Sequence, residues 1–369
     1  MIVELHILQN FAPSCLNRDD TNSPKECLFG GYRRARISSQ CIKRAIRGQF
    51  KDNSLVSPDT LAKRTKLLVR ELAKRLVAAG KPEEDALNAS KLAIEKTGKL
   101  KIKDKERTEY LLFLGEKEIA NIAEVILSHW AELNSSQTNE KALESIGKEV
   151  LDKFTGGKST DLSLFGRMLA DLPDKNIDAA CQVAHAISTH KVGVEFDFYT
   201  AVDDLQAEGE TGAGMMGTIE FNSACYYRYA NIDLGQLKAN LGDNELARKT
   251  VEAFIRAAKD AVPSGKQTSF SAQNPPDFVM AVVRDSGTWS LANAFAKPVK
   301  ENKENGDLVV DSIAALIGYW NTLNKAYSTD GILANPALSL KETSMEGLQK
   351  VNNFEELVAV VNKAIAGDC

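Results

Sequence analysis

The first residues of the chain alternate between apolar and polar side chains. Val3, Leu5 and Ile7 occupy every second position, and Glu4 and His6 lie between them. Successive side chains of a strand point to opposite faces, so this period of two predicts a β-strand at the start of the chain.

A stripe with the period of a helix follows. Ile42, Ala45 and Ile46 recur at helical spacing, which predicts an amphipathic helix with these residues on its buried face. Ser38 and Ser39 lie where this helix should begin. Serine is a preferred N-cap because its hydroxyl accepts a hydrogen bond from a backbone N–H that has no partner within the helix.

The rest of the chain divides by pattern into a helical block and a mixed region. Residues 57–172 are helical almost throughout, with glycines between the segments. Beyond them the pattern predicts helices at 179–190, 245–262, 312–323 and 353–366, and strands at 192–199, 218–230 and 279–284. This order, strand–helix–strand–strand–helix–strand with a helical insertion after the first helix, is that of the ferredoxin-like or RRM-like fold. The sequence therefore predicts an α+β protein of this kind.

Composition narrows the class of protein. The 369 residues carry a formal net charge of -4, with 43% hydrophobic and 26% charged residues. The length allows two or three domains, or one domain with a large insertion. No apolar run approaches the roughly 18 residues that span a bilayer, and the N-terminus lacks the features of a signal peptide. We therefore expect a cytoplasmic protein without membrane contact.

The six cysteines are scattered along the chain without a CxxC pair, and the four histidines do not complete a zinc site. We expect free thiols in a reducing compartment, no metal site and no cofactor.

Positive charge is concentrated in residues 30–47, which contain six basic residues and no acidic one. On the predicted helix, Gln40, Lys43, Arg44 and Arg47 lie on the side opposite the apolar stripe. A helix N-terminus with hydroxyls, an amide and a basic face is suited to binding phosphates. A basic face is also common as ordinary solvated surface, so charge alone leaves both interpretations open.

Taken as a whole, the N-terminal string is similar to the signature of the CasC family, the backbone subunits of the type I-E Cascade complex, an RNA-guided surveillance assembly of CRISPR systems. The residues that carry the resemblance are Pro13-Ser14-Cys15-Leu16-Asn17-Arg18-Asp19-Asp20, Phe29-Gly30-Gly31, Arg33-Arg34, Arg36-Ile37-Ser38-Ser39-Gln40 and Lys43-Arg44. Further similar segments are Phe165-Gly166-Arg167-Met168, Tyr199-Thr200-Ala201-Val202-Asp203-Asp204-Leu205 and residues 263–274. Tyr32 departs from the family pattern, because it stands where a basic residue is expected.

The resemblance implies a hand-like protein. It comprises an RRM-like palm of residues 1–56 and 173–369, helical fingers of residues 57–172, and a β-hairpin thumb of residues 194–220 within the palm. Such a protein binds the CRISPR guide RNA (crRNA), polymerises head to tail along it, presents it to target DNA and contacts other Cascade subunits. Because guides differ in sequence, the contacts should go to phosphate and ribose and leave the bases free.

Two groups of residues are predicted to contact the guide. The phosphate-contacting group is Arg18, Ser38, Ser39, Gln40, Lys43, Arg44 and Arg47. The resemblance implies base-displacing contacts at Met168 of the fingers and at Phe198, Tyr199 and Thr200 of the thumb. Without the resemblance, Met168 would be interpreted as helix core and Tyr199 as an ordinary strand side chain. Lys266 could contact RNA or merely complement a helix dipole, and the sequence leaves that open.

The competing hypothesis is an enzyme. Asp19 and Asp20, beside Arg18, are the candidates for a metal-dependent RNA-processing nuclease that would act through Asp20. No second carboxylate cluster or poised histidine accompanies them in the sequence, and aspartates in such a position are typical of Asx turns. We expect no catalytic residues.

Overall fold

The computed structural model describes residues 1–104, 106–202, 204–205, 215–300 and 306–367. The strands are β1 (Ile2–Ser14), β2 (Glu26–Phe29), β3 (Tyr32–Ile37), β4 (Ala62–Thr65), β5 (Ile102–Lys103), β6 (Arg107–Thr108), β7 (Leu112–Gly115), β8 (Cys181–Val183), β9 (Ala186–Ser188), β10 (Glu195–Ala201), β11 (Met215–Asp233), β12 (Phe278–Arg284), β13 (Ile332–Ala334), β14 (Pro336–Ser339) and β15 (Gln349–Lys350). The helices are α1 (Ser39–Asp52), α2 (Leu68–Ala78), α3 (Glu83–Glu95), α4 (Glu116–Ser128), α5 (Trp130–Leu133), α6 (Glu140–Asp152), α7 (Thr160–Phe165), α8 (Leu234–Leu241), α9 (Asn244–Asp260), α10 (Gln267–Phe270), α11 (Leu308–Tyr327) and α12 (Phe354–Ala366). The predicted α+β class is confirmed.

The chain divides into two compact units. The first comprises Met1–Asp52, Gln182–Ile232 and Glu252–Cys369, and the second comprises Asn53–Cys181 and Asp233–Val251. The predicted fingers, residues 57–172, fall inside the second unit, which also takes in a segment from later in the chain.

A large sheet forms the centre of the first unit. Its strands follow the order β15, β14, β12, β1, β11, β9, β3, β2. Strand β1 pairs antiparallel with β12, with Ile2 opposite Arg284 and Leu8 opposite Phe278. Both strands are almost entirely buried, as expected for central strands.

Helices cover both faces of this sheet. On one face, α11 contributes Ile313 and Trp320 to a core shared with Leu8 and Tyr227. On the other face, α1 buries Ile42, Ile46 and Phe50. Ile42 and Ile46 border the same small cavity, about 10 Å³, as Leu5 and Ile7 of β1. The apolar stripe predicted for α1 is therefore confirmed for Ile42 and Ile46, and Phe50 extends it by one turn.

The helix predicted for residues 179–190 is wrong. The segment contains strands β8 and β9 instead, and Ala186, Ile187 and Ser188 of β9 are all buried. Ile187 pairs with Arg36 on one side and with Tyr227 on the other. The alanines of this segment favour a helix locally, but hydrogen bonding to two distant strands overrides that preference.

The polar face of β1 is buried together with its apolar face. A Glu4 carboxylate oxygen accepts a hydrogen bond from the Tyr229 hydroxyl at 2.7 Å, and the other lies 2.9 Å from Arg284 Nε. His6 Nδ1 lies 2.9 Å from the Tyr227 hydroxyl. Burial raises the pKa of Glu4 and lowers the pKa of His6 to about 3. Each of these two residues thus has a hydrogen-bond partner inside the fold, although His6 Nε2 is buried without one.

The second unit is mostly helical. Its core includes Leu72, Ile94, Ile122, Ile146 and Phe154 from helices α2, α3, α4 and α6 and the turn after α6. Two short antiparallel pairs, β4 with β7 and β5 with β6, accompany the helices. Among the helices that the structure describes, none combines the length and the apolar character needed to cross a bilayer.

The buried His6 predicts a pH dependence of stability. Its pKa is lowered on folding, so the unfolded state takes up the proton first as pH falls, and stability is lost from about pH 6.5 down toward pH 3. Between about pH 7.5 and pH 5 this loss should be about 2 kcal/mol. His6→Gln keeps a hydrogen-bonding group for Tyr227 and should remove this part of the dependence, as measured by urea unfolding at both pH values. His185→Gln is the control: this histidine of the same unit is exposed, and burial lowers its pKa less than that of His6, so its loss should remove a smaller part of the dependence. An unaltered pH dependence in His6→Gln would contradict the assignment.

Candidate nucleic-acid interface

Helix α1 begins at a capped and anchored N-terminus. The Ser38 hydroxyl accepts a hydrogen bond from the Cys41 N–H at 3.3 Å, and the Ser38 N–H donates to Asn17 Oδ1 at 2.8 Å. Ser38 is buried, Ser39 is half-buried and Gln40 is exposed. The first turn of α1 contains no acidic residue, although acids are favoured there by the helix dipole. Within the protein, Ser38 and Asn17 fix the start of this helix, and no acidic side chain of its first turn complements the positive end of the dipole.

A groove runs beside α1 within the first unit, and we call it the α1 groove. Its volume is about 510 Å³. It is lined by Leu16, Asn17, Arg18, Asp19, Asn22, Cys41, Arg44, Ala45, Gly48, Gln49, Asp52, Val262, Pro263, Ser264 and Gly265. Arg18 and Arg44, both exposed, supply positive charge, and Asp19 and Asp52 oppose it. The groove is thus polar and mixed in charge, with two of the predicted contact residues on its wall.

The loop after β1 is shaped by Asp19. Its carboxylate oxygen accepts hydrogen bonds from the N–H and hydroxyl of Thr21, at 2.9 and 2.8 Å, and from the Ser23 N–H at 3.0 Å. The hydrogen bond from Thr21 is the main reason that the pKa of Asp19 is lowered. Arg18 Nη1 donates to Asn22 Oδ1 at 3.0 Å across the same loop, and Asp20 is exposed. Asp19 is therefore a turn-forming residue, as its sequence context predicts.

The other wall of the groove is a tight turn. A side chain at Gly265 would collide with the backbone carbonyl oxygens of Cys15 and Leu16, so this position requires glycine. Lys266 follows in the left-handed region with φ of 46°. It lies in the loop after α9, six residues beyond Asp260, and at the N-cap of the short helix α10. Both roles considered for Lys266, a contact with RNA and complementing the dipole of the preceding helix, stay predictions.

Lys43 and Arg47 lie one turn apart on α1 and are both half-buried. Each has an interaction within the protein. Neither of them lines the α1 groove, whereas Arg18 and Arg44 do. The predicted phosphate-contacting residues are therefore only partly brought together by the groove.

The basic residues of the β2–β3 hairpin serve the fold. Arg34 is fully buried and donates to the carbonyl oxygens of Ser188 and Phe295 at 3.0 and 2.6 Å. Arg33 pairs with Glu26 at 2.5 Å, and Arg36 donates to the Glu26 carbonyl oxygen. The basic residues of 30–47 therefore fall into two groups. Those of β3 contact the protein itself, and those of α1 lie at or beside the groove.

The glycine pair between β2 and β3 has a structural role as well. Gly30 and Gly31 have φ of 60° and 82°, the conformation of a two-residue hairpin turn. A side chain at Gly30 would collide with the backbone of Ala296. Gly30 therefore allows a close approach of two backbone segments of the protein itself.

Strands β10 and β11 present an exposed hairpin stem. Tyr199 pairs with Gly217, and Phe198 pairs with Thr218. All seven residues of β10 are exposed, including Phe196 at 68% and Phe198 at 64%. Since side chains alternate along a strand, Phe198 and Thr200 lie on one face and Tyr199 lies on the other. Residues 203 and 206–214 of the predicted thumb are outside the described residues.

Met168 is 85% exposed in the second unit. Its neighbours Arg167 and Leu169 are both buried, at 5% and 7%. The helix-core interpretation of Met168 is therefore wrong, because the side chain points into solvent.

Sequence reasoning missed three residues of these surfaces. Asn17 accepts the hydrogen bond that anchors the start of α1, and the only sign of this in the sequence is a polar residue next to a turn. Phe196 and Met216 lie on the same face of the hairpin as Phe198, which the period of two on each strand would have revealed. In the part of the chain that the structure describes, no cluster of three His, Cys, Asp or Glu side chains could hold a metal ion.

Comparisons with known proteins assign the family. Residues 3–362 match the model of the CT1975-like protein family, Cas_CT1975. The chain belongs to this family, and the membership predicted from its motifs is confirmed.

Solved structures extend the similarity over the whole chain. One chain of a "CRISPR RNA-guided surveillance complex, pre-nicking" is 30% identical, with a TM-score of 0.85 over 99% of this chain and 100% of that one. A chain of a "CRISPR RNA-guided surveillance complex" is 24% identical, with a TM-score of 0.75 over 99% and 100% of the two chains, and shows the same fold. No curated protein matches this chain.

The two serines at the start of α1 should differ in their effect on stability. Ser38→Ala removes the cap acceptor for Cys41 and should lower the free energy of unfolding by about 1 kcal/mol. Ser39→Ala, one residue into the helix, is the matched control and should cost less than about 0.5 kcal/mol. Chemical denaturation of both variants measures this, and equal losses would contradict the assignment of Ser38 as the cap.

Proposed function

We propose that this protein is the non-catalytic guide-RNA-binding backbone subunit of a type I-E CRISPR surveillance complex. It binds the crRNA along its sugar–phosphate backbone and oligomerises head to tail on it. In this state it presents the guide for pairing with target DNA in antiviral defence. Its partners are the guide, further copies of itself and other Cascade subunits, and it acts in the cytoplasm. Family membership and the similarity to a chain of an RNA-guided surveillance complex over its full length support this role.

The observation that carries the proposal is the N-terminus of α1 and its groove. The capped helix start has no acidic residue in its first turn, and the exposed Arg18 and Arg44 line the groove next to it. Backbone N–H groups, a hydroxyl and arginines recognise phosphate without reading a base. A subunit needs such sequence-independent binding because every guide has a different sequence.

The order of elements supports an RRM-like palm. In chain order, β1, α1, β9, β11, α9 and β12 form the strand–helix–strand–strand–helix–strand series of ferredoxin-like folds. Neighbouring strands in the sheet are β12, β1, β11 and β9. On this proposal residues 57–172 are the fingers, and the β10–β11 hairpin within residues 194–220 is the thumb.

Exposed apolar side chains support base displacement by the fingers and the thumb. Met168 is 85% exposed and Phe198 is 64% exposed, so neither side chain is buried in a hydrophobic core. A thioether and an aromatic ring can wedge between stacked bases without reading their edges. Phe198 and Thr200 share one face of the thumb and act together on the RNA, while Tyr199 contacts it from the other face.

The two groove arginines should contribute measurably to the salt dependence of guide binding. For single strands, the logarithm of affinity falls with the logarithm of salt with a slope of about -0.7 per phosphate neutralised. Arg18→Gln combined with Arg44→Gln should therefore flatten the slope by about 1.4, as measured by fluorescence anisotropy with a labelled guide. Lys363→Gln, at an exposed lysine of α12 in the same unit, should leave it unchanged. A slope that does not respond to the arginine pair would locate the RNA away from the α1 groove.

The number of copies bound should grow in steps with the length of the RNA. A head-to-tail contact repeats without closing, so each added stretch of guide accommodates one more subunit. Mass photometry of complexes on RNAs of graded length measures this. A constant mass at every length would contradict polymerisation along the guide.

The RNA recovered from the same samples should have its original length. A non-catalytic subunit leaves the guide at its input length after incubation with Mg²⁺. Shortened RNA with the wild-type protein, and intact RNA with Asp20→Ala, would instead establish the nuclease.

A further inference from the structure

A buried ion pair lies directly beside the exposed Met168. Arg167 Nη1 lies 2.9 Å from both carboxylate oxygens of Glu118, and the two side chains are 1% and 0% exposed. The same guanidinium donates to the carbonyl oxygen of Lys175 from Nε and Nη2, at 3.1 and 3.0 Å, and to that of Phe113 at 3.2 Å. One side chain thus ties together three separate segments of the second unit.

Glu118 is itself held in place. It lies in the first turn of α4, and its carboxylate oxygens accept from the N–H groups of Gly115 at 2.7 Å and Gly156 at 2.6 Å. A negative charge near a helix N-terminus is stabilised by the helix dipole. The anchor for Arg167 is therefore rigid, and it is supplied by secondary structure rather than by a mobile loop.

The backbone on both sides of Met168 is fixed as well. Arg167 and Ile177 exchange two backbone hydrogen bonds of 2.9 Å, and the Leu169 N–H donates to Asn176 Oδ1 at 2.6 Å. With Arg167 and Leu169 both pointing inward, the side chain between them is directed outward. Gly166, with φ of 75°, ends α7 and provides the turn into this segment.

We infer that Arg167 and Glu118 are positioning residues that hold Met168 in the orientation needed to displace a guide base. This inference rests on the proposed function, in which Met168 acts as the wedge. Neither side chain touches RNA, since both are buried, and their effect reaches the guide only through the position of Met168.

The chemistry of the pair fits positioning better than stability. A buried ion pair is weak support for stability, because the cost of removing two charges from water offsets their attraction. The planar guanidinium, however, fixes direction: it makes five contacts, to Glu118, Phe113 and Lys175, in one rigid geometry, whereas a lysine has only three donors on a flexible stem. A side chain that inserts between stacked bases must keep its position against them, and the contacts of Arg167 hold the backbone next to Met168 in place.

The test places 2-aminopurine, which fluoresces when it is unstacked, at successive single positions of a guide RNA bound by the full-length protein. At saturating protein, Arg167→Lys should lower the fluorescence at the displaced positions toward the level of Met168→Ala, a drop of about fivefold or more in the unstacked fraction. Guide affinity and its salt slope should stay within about twofold of wild type, because no phosphate contact is lost. Arg75→Lys, at a more exposed arginine of the same unit that pairs with Glu116, is the matched control and should leave the fluorescence unchanged.

The outcomes separate this inference from the proposed function. Normal fluorescence in Arg167→Lys, with a loss in Met168→Ala, would overturn the positioning role and leave base displacement intact. Normal fluorescence in Met168→Ala would overturn both the wedge and the inference, while the affinities of the same samples would still report on guide binding.

A second variant guards against loss of folding. Arg167→Met combined with Glu118→Gln replaces the ion pair with neutral side chains of similar volume, which folds can tolerate. It should fold, bind guide and lose the fluorescence, and retained fluorescence in this variant would count against the inference.

Discussion

The burial of both faces of β1 is the constraint on which the first unit depends. An apolar layer containing α1 covers one face and α11 covers the other, so the side chains from Val3 to Gln9 must all fit an interior. Several buried polar residues of the strand have partners inside the fold, such as Gln9, whose Oε1 accepts a hydrogen bond from Arg228 at 2.5 Å. Burial lowers the pKa of this arginine to about 10. Because the strand is held along its length, the loop that follows it at residues 15–23 meets α1 at a defined place and forms the groove wall.

Local signals were enough to predict the start of α1. Ser38 caps the helix, and Ile42 and Ile46 face the core, because both features depend on residues within two turns of one another. The turn role of Asp19 was predictable for the same reason, since its hydrogen-bond partners lie within four residues.

Features that depend on distant segments could not be predicted from the sequence. Arg34 has the same local surroundings as Arg33, yet it is buried because the carbonyl oxygens of Ser188 and Phe295, far along the chain, accept its hydrogen bonds. Residues 179–190 form strands because β3 and β11 lie on either side of β9. The exposure of Met168 follows from the partners of its neighbours, and no local pattern distinguishes it from a core methionine. The family resemblance supplied a role for this residue that periodicity could not.

The net charge constrains how such a protein can bind RNA. Each copy carries a formal charge of -4, and the α1 groove contains Asp19 and Asp52 as well as two arginines. If copies line up on one guide as proposed, their like net charges repel one another, and the acids of each groove weaken its attraction for phosphate. On the proposed function, tight binding then comes from many subunits engaged on a single RNA, where each bound copy raises the effective concentration of the next contact. On the same proposal, a lone subunit would dissociate readily from unrelated RNA, and stable binding would require a guide long enough for several copies to bind side by side.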